Sequence, residues 1–245
     1  MNLPNTLTVS RIVAAPVVAW LPFIATWPAR LGAFVLFAAI AITDYYDGKL
    51  ARESGQVTDL GKMLDPLADK LLVVATFVPM FVLVGSGESL SLLTPYAEPL
   101  VPGVVGPMVV SAPAFFVGKV AFPYVTPFAT VGLPWWILAL VLGREVAMTA
   151  FRQYARRRGV VIAAIGSAKW KTGFQLVWVG ATLCWFAAAT AAAEYEWKSP
   201  LWTAGAHFMG LINVLSMTGA VGLTIWSLWL YARRHRKLIA DIAGA

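Results

Sequence analysis

The chain reads as an all-α integral membrane protein, a six-transmembrane-helix bundle formed by a single domain over residues 1–245. Hydrophobic residues make up 59% of it, charged ones only 13%, and the mean hydropathy is +0.72, so polar side chains are too few to cover a water-soluble globule. Apolar runs of the roughly 20 residues needed to cross a bilayer alternate with compact charged segments. The formal charge of +7 sits in short basic blocks beside those runs, a pattern of membrane topology that argues against a nucleic-acid partner.

The predicted spans are residues 9–27, 31–47, 66–86, 133–151, 172–193 and 208–231. The first carries Arg11 and lacks a clear small-residue cleavage site, so it is expected to be retained rather than removed as a signal peptide. With a cytoplasmic N-terminus, one side of the membrane receives Lys49, Arg52 and Lys62, then Arg152, Arg156, Arg157, Arg158, Lys169 and Lys171, then Arg233, Arg234, Arg236 and Lys237. The other side receives Arg30, Lys119 and Lys198. This positive-inside asymmetry predicts a multi-pass protein of a bacterial-type cytoplasmic (inner) membrane, with both termini cytoplasmic. Trp27, Trp135, Trp136, Trp197 and Trp202 fall near the outer ends, where interfacial anchors belong.

Between the third and fourth spans, residues 88–132 are apolar but broken by Pro95, Pro99, Pro102, Pro107, Pro113, Pro123 and Pro127, which opposes a continuous helix. A seventh span there would carry Arg156–Arg158 to the outside, so the segment is expected to be a Pro-rich apolar insertion at the outer surface. The single cysteine, Cys184, lies in an apolar run and reads as packing; His207 reads as a buried polar contact and His235 as a solvated tail residue.

Chemistry concentrates in one segment. Five aspartates, Asp44, Asp47, Asp59, Asp65 and Asp69, fall where the second and third spans meet a short charged turn. Asp44 and Asp47 are spaced i,i+3 and Asp65 and Asp69 i,i+4, so each pair shares a helix face, and a helical hairpin can present four carboxylates to one another. Such a set near a membrane needs cations. All-oxygen ligands select Mg²⁺, Mn²⁺ or Ca²⁺, and a two-metal site suited to phosphoryl transfer is the natural inference. Asp59 lies between the pairs and reads as a helix cap or solvated charge. Gly48 and Gly61 would let a bulky ligand approach the backbone.

The run from Asp44 through Asp47, Gly48, Ala51 and Arg52 to Gly61, Asp65 and Asp69 has the pattern D-x2-D-G-x2-A-R-x8-G-x3-D-x3-D. With eight fixed positions at fixed spacing, it resembles the signature of the CDP-alcohol phosphatidyltransferases. The resemblance implies a six-helix membrane core, commonly dimeric, with two ions, Mg²⁺ or Mn²⁺, bound by Asp44, Asp47 and Asp65 and completed by Asp69. Asp69 would also be the general base for the acceptor hydroxyl, and the donor would be CDP-diacylglycerol, contacted by Gly48, Ala51, Arg52 and Gly61. The site would face the cytoplasm.

Two further blocks are similar to the phosphatidylglycerophosphate synthases of that family. One is the N-terminal run Asn2 to Arg11, through which Asn5 and Thr8 would join the donor site and Arg11 the acceptor site. The other holds Arg144, Glu145, Arg152, Val160–Ala164, Lys169, Lys171, Thr172 and Gln175, and implies sn-glycerol 3-phosphate as acceptor, bound by Arg144, Arg152, Lys169, Lys171 and Thr172. A phosphate dianion at a membrane surface needs several Lys or Arg donors, which fits. Arg156, Arg157 and Arg158 are assigned to lipid head groups. Ala168 stands where the family often has Gly, and the insertion is longer than usual. Phosphatidylglycerol, inositol phosphate or serine are the alternative acceptors. Intramembrane carboxylates also mark cation or proton transporters, but nothing in the second half mirrors residues 44–69.

Overall fold

In the computed structural model the residues described are 3–54, 59–84, 122–159 and 166–236, with the backbone alone at 3–8, 45–54, 59–67, 69, 130 and 166–169. Helix α1 (Leu3–Trp20) ends in a 3₁₀ turn (Leu21–Phe23) and is followed by α2 (Trp27–Ser54) and α3 (Asp59–Val84). Strands β1 (Tyr124–Val125) and β2 (Thr130–Val131) form an antiparallel pair, and α4 (Trp135–Arg157), α5 (Gly166–Glu194) and α6 (Pro200–Arg234) complete the described chain. Each predicted span overlaps one of these helices. Trp27–Asp44, Trp170–Glu194 and Pro200–Arg234 are long and apolar enough to cross a membrane, while Val9–Phe23 and Lys70–Val84 are shorter apolar stretches.

The differences at helix ends have local causes. Hydropathy carries the first span to residue 27, but Pro22 lies in the 3₁₀ turn that ends the helical run at Phe23. The last helix begins before its apolar run, because Ser199 accepts the Trp202 backbone N–H at 3.2 Å and Pro200 occupies the first helical position, where its missing N–H costs nothing. Helix α2 continues past its apolar run to Ser54, so the charged segment that follows Asp44 is itself helical.

The helices pack in a ring. Helix α1 lies between α2 and α3, α3 meets α4, α4 meets α6, α6 meets α5, and α5 returns to α2; α3 also touches α5 across the middle. Lipid tails are as apolar as the side chains, so close packing and internal hydrogen bonds hold such a bundle together. Small buried residues, Ala187, Ala189 and Ala192 on α5 and Ala206, Gly210 and Ala220 on α6, allow close approach around the enclosed rings of Trp178, Trp185 and Phe186.

The end of the Pro-rich insertion departs from a surface loop. Residues 88–121 lie outside the described residues, but Phe122, Tyr124 and Val125 are buried in the bundle. The Phe122 N–H donates to the Leu83 carbonyl at 2.8 Å. The Trp178 indole N–H donates to the Tyr124 hydroxyl at 2.9 Å; that hydroxyl lies 2.8 Å from the Thr182 hydroxyl, which lies 2.9 Å from Asn213 Oδ1. Apolar composition sent this segment to a surface because its polar partners lie on distant helices.

Aromatic rings cluster at both ends of the bundle. At one end the Trp27 indole donates to the Tyr195 hydroxyl at 3.2 Å, Trp185 stacks on Trp202, and Trp197 meets Trp202 edge-on. Arg30, on the same turn as Trp27, is buried: it donates to the Pro22 carbonyl at 3.0 Å and to Thr190 Oγ1, and lies 4.6 Å from the Phe122 ring centre. His235 caps α6 and packs between the rings of Phe151 and Tyr231 rather than standing as a solvated tail residue.

Candidate active site

The aspartate signature occupies the second half of α2 and the first half of α3, with Asp44, Asp47, Gly48, Ala51 and Arg52 on α2 and Asp59, Gly61, Asp65 and Asp69 on α3. Asp59 is the first residue of α3, as a residue at a helix start should be. Uninterrupted helix on both segments keeps the i,i+3 and i,i+4 spacings on one face each. Of these residues, the side chain of Asp44 is described; those of Asp47, Gly48, Ala51, Arg52, Gly61, Asp65 and Asp69 lie outside the described residues, as do those of Asn5 and Thr8 on α1 and Lys169 on α5.

Arg11 on α1 forms an ion pair with Asp44 on α2. The guanidinium is buried, whereas the Asp44 side chain is 53% exposed, so the carboxylate is held from one side and open on another. The structure thus gives Arg11 a partner in the aspartate segment, where the resemblance had assigned it to the acceptor. A carboxylate steadied by a buried cation keeps lone pairs for a further ligand.

The second block converges from two helices, with a third supplying polar partners. Arg144 and Arg152 lie on α4 and Lys171 on α5, all with α6 behind them. Glu145 Oε1 accepts from Arg144 Nη1 at 3.1 Å and from Lys171 Nζ. Arg144 Nη2 lies 3.4 Å from Ser227 Oγ, and Arg152 Nη2 lies 3.4 Å from the Tyr231 hydroxyl. The charges of Arg144 and Arg152 both act on Lys171. The Nε atoms of Arg144 and Arg152 and Nε2 of Gln175, one turn beyond Lys171, are buried and make no hydrogen bond among the described residues. Buried donors are normally paired, so this is a donor-rich recess suited to an anion. Thr172 is on the exposed side of α5, and Arg156, Arg157 and Arg158 are exposed at the end of α4.

Helix α3, which carries Asp65 and Asp69, packs against both α4 and α5, the helices that carry the basic cluster. Among the described residues, the sequence reading missed Ser227 and Tyr231 as supports of the arginines. Their spacing from the buried Thr224, three and seven residues on, is a helix-face pattern, but nothing in the sequence links that face to Arg144 or Arg152.

The CDP-alcohol phosphatidyltransferase family model matches residues 1–101 and 107–226. The chain is 27% identical to CDP-diacylglycerol–glycerol-3-phosphate 3-phosphatidyltransferase 2 of Arabidopsis thaliana over 98% of its own length and 82% of that protein's. It is 31% identical to a probable phosphatidylglycerophosphate synthase of Mycobacterium tuberculosis over 73% of the chain and 64% of the relative. Over a shorter stretch, 29% of the chain and 40% of the relative, it is 51% identical to a CDP-diacylglycerol–glycerol-3-phosphate 3-phosphatidyltransferase of Rickettsia bellii. With its signature on two consecutive helices and the family match extending over nearly the whole chain, this protein belongs to the CDP-alcohol phosphatidyltransferase family.

Proposed function

We propose that the protein transfers the phosphatidyl group of CDP-diacylglycerol to sn-glycerol 3-phosphate, giving phosphatidylglycerophosphate and CMP. The observation that carries the acceptor is the convergence of Arg144, Arg152 and Lys171, with two buried unpaired guanidinium Nε atoms, beside the helix that bears Asp65 and Asp69. An uncharged acceptor would leave these donors without a use; a phosphomonoester uses them. The relatives named above for glycerol 3-phosphate support the same acceptor.

In this reading the acceptor phosphate is gripped by Arg144, Arg152 and Lys171, with Lys169 and Thr172 at the rim, so that its free terminal hydroxyl meets the donor. Asp69 takes the hydroxyl proton as the oxygen attacks the phosphorus bearing diacylglycerol. The bond from that phosphorus to the bridging oxygen breaks, and CMP leaves with that oxygen. Gly48, Ala51, Arg52, Gly61, Asn5 and Thr8 hold the nucleotide part of the donor.

Asp44, Asp47, Asp65 and Asp69 would hold two Mg²⁺ or Mn²⁺ ions, which when bound neutralise the pyrophosphate charge. Their all-oxygen chemistry fits hard cations, and the open carboxylate of Asp44, steadied by Arg11, is consistent with a ligand. We place the site at the cytoplasmic face of a six-span protein in the inner membrane, with donor acyl chains in lipid, and expect a homodimer as in the family.

The test is CMP release by purified protein in detergent, given CDP-diacylglycerol and Mg²⁺ or Mn²⁺, with glycerol 3-phosphate, serine, inositol phosphate or phosphatidylglycerol supplied separately. Release driven by glycerol 3-phosphate alone is expected; release driven by another acceptor instead would overturn the assignment.

A further inference from the structure

We propose that Glu145 is the resident counter-ion of the acceptor-phosphate site, a positioning residue that holds Arg144 and Lys171 together and is exchanged for the acceptor's phosphate. This rests on the functional reading above and adds a residue to which that reading gives no role. Three observations meet here. Glu145 uses one carboxylate oxygen for both Arg144 and Lys171, so the two donors of a phosphate grip already share an anion. The Glu145 side chain is 29% exposed while those of Arg144 and Lys171 are 6% and 4% exposed, so the anion lies on the accessible side of its cations. Among the described residues α4 and α5 are not a closely packed pair, although each packs on α3 and α6, so the Glu145–Lys171 bridge joins two helices that otherwise meet little.

The charge balance gives the bridge its consequence. Arg144 and Arg152 are cations that act on a third, Lys171, and Glu145 offsets one of the three charges. Without an anion, buried like charges would push apart and their side chains would lose register. An incoming phosphate needs the same Nζ and guanidinium protons that Glu145 accepts, so the two compete. Glu145 therefore keeps the donors aimed while weakening the capture of any passing phosphate, and the acceptor completes the exchange because its phosphate brings three oxygens and a larger charge.

The experiment is inorganic phosphate binding to the purified full-length protein, read by calorimetry, together with CMP release. Glu145→Gln removes the competing charge, and phosphate is expected to bind about tenfold more tightly while kcat with glycerol 3-phosphate falls; Glu145→Asp, which keeps the charge, stays within about threefold of the wild type in phosphate affinity. A purely structural Glu145 would weaken both properties in Glu145→Gln, and unchanged or weaker phosphate binding by that variant, folded by its melting transition, overturns the proposal. Should Glu145→Gln not fold, Lys171→Gln and the double variant Glu145→Gln, Lys171→Gln decide the question. The single change is expected to weaken phosphate binding more than about tenfold and the double to restore most of it. A double variant that binds as weakly as the single one overturns the proposal. Phosphate binding does not depend on which alcohol is the acceptor, so failure of glycerol 3-phosphate to drive CMP release would count against the functional reading alone.

Discussion

At the scale of the residue, carboxylates and cations in an apolar chain are costly unless paired or bound, and that cost makes them informative. Asp69→Asn is expected to reduce CMP release by about 10²–10⁴-fold, the usual contribution of a general base, while CDP-diacylglycerol still binds. Retained turnover in the folded variant would remove Asp69 from that role. Lys171→Gln is expected to raise the KM for glycerol 3-phosphate by roughly tenfold to a hundredfold, since one hydrogen bond to a charged group is worth about 1.5–3 kcal/mol. The measurement is acceptor titration at saturating donor, and an unchanged KM would separate Lys171 from the phosphate. The candidate residues could be named from the chain alone, because scarce charges at fixed spacing stand out against apolar neighbours. Their partners could not. Arg11 meets Asp44 and Lys171 meets Glu145 across sequence separations that no local pattern reports.

At the scale of the element, the strand pair at the end of the Pro-rich insertion is held by polar contacts and by one close backbone approach. A Cβ at Gly210 would overlap the Val125 carbonyl, so this glycine is required by the contact of β1 with α6 rather than by helix geometry. On an exposed helix Gly→Ala would stabilise by roughly 1 kcal/mol. Here Gly210→Ala is expected to destabilise instead, by about 1–3 kcal/mol of overpacking, seen as a lower melting temperature in detergent. A rise in that temperature would mean that β1 does not seat on α6. Tyr124→Phe removes the acceptor of the Trp178 indole and the partner of Thr182, and is expected to cost about 1–2 kcal/mol by the same measurement. Among the described residues, the order of the long helices was legible because an apolar run of sufficient length reports a helix directly. Their ends were less so. Pro22, Ser199 and Pro200 set boundaries through turn and cap geometry that a hydropathy window averages away.

At the scale of the whole molecule, the basic ends of α4 and α6 and the aspartate segment between α2 and α3 should share one side of the membrane, and Lys198, between α5 and α6, the other. In a Cys184→Ser background, single cysteines replacing Arg157 or Arg234 are expected to react with a membrane-impermeant maleimide only after the cytoplasmic side is opened. A cysteine at Lys198 should react from outside in intact cells. Labelling of Arg157 and Lys198 positions from the same side would break the six-span topology. All three positions are exposed or beside exposed residues, so reactivity reports sidedness rather than burial.

What the sequence by itself determined is the class of the molecule and a candidate place for its chemistry. Bilayer thickness converts apolar run length into helices, the rule for basic residues converts charge into an expected orientation, and the eight fixed positions from Asp44 to Asp69 mark a candidate reactive segment because helical spacing turns them into faces. Only the tertiary structure decided which residues answer one another. It paired Arg11 with Asp44, drew Glu145 between Arg144 and Lys171, set Ser227 and Tyr231 behind the arginines, and buried Tyr124 among Trp178, Thr182 and Asn213. The physical reason is the bilayer itself: where hydrophobicity cannot distinguish one helix neighbour from another, sparse polar contacts and small residues choose the packing, and both act between segments far apart in the chain.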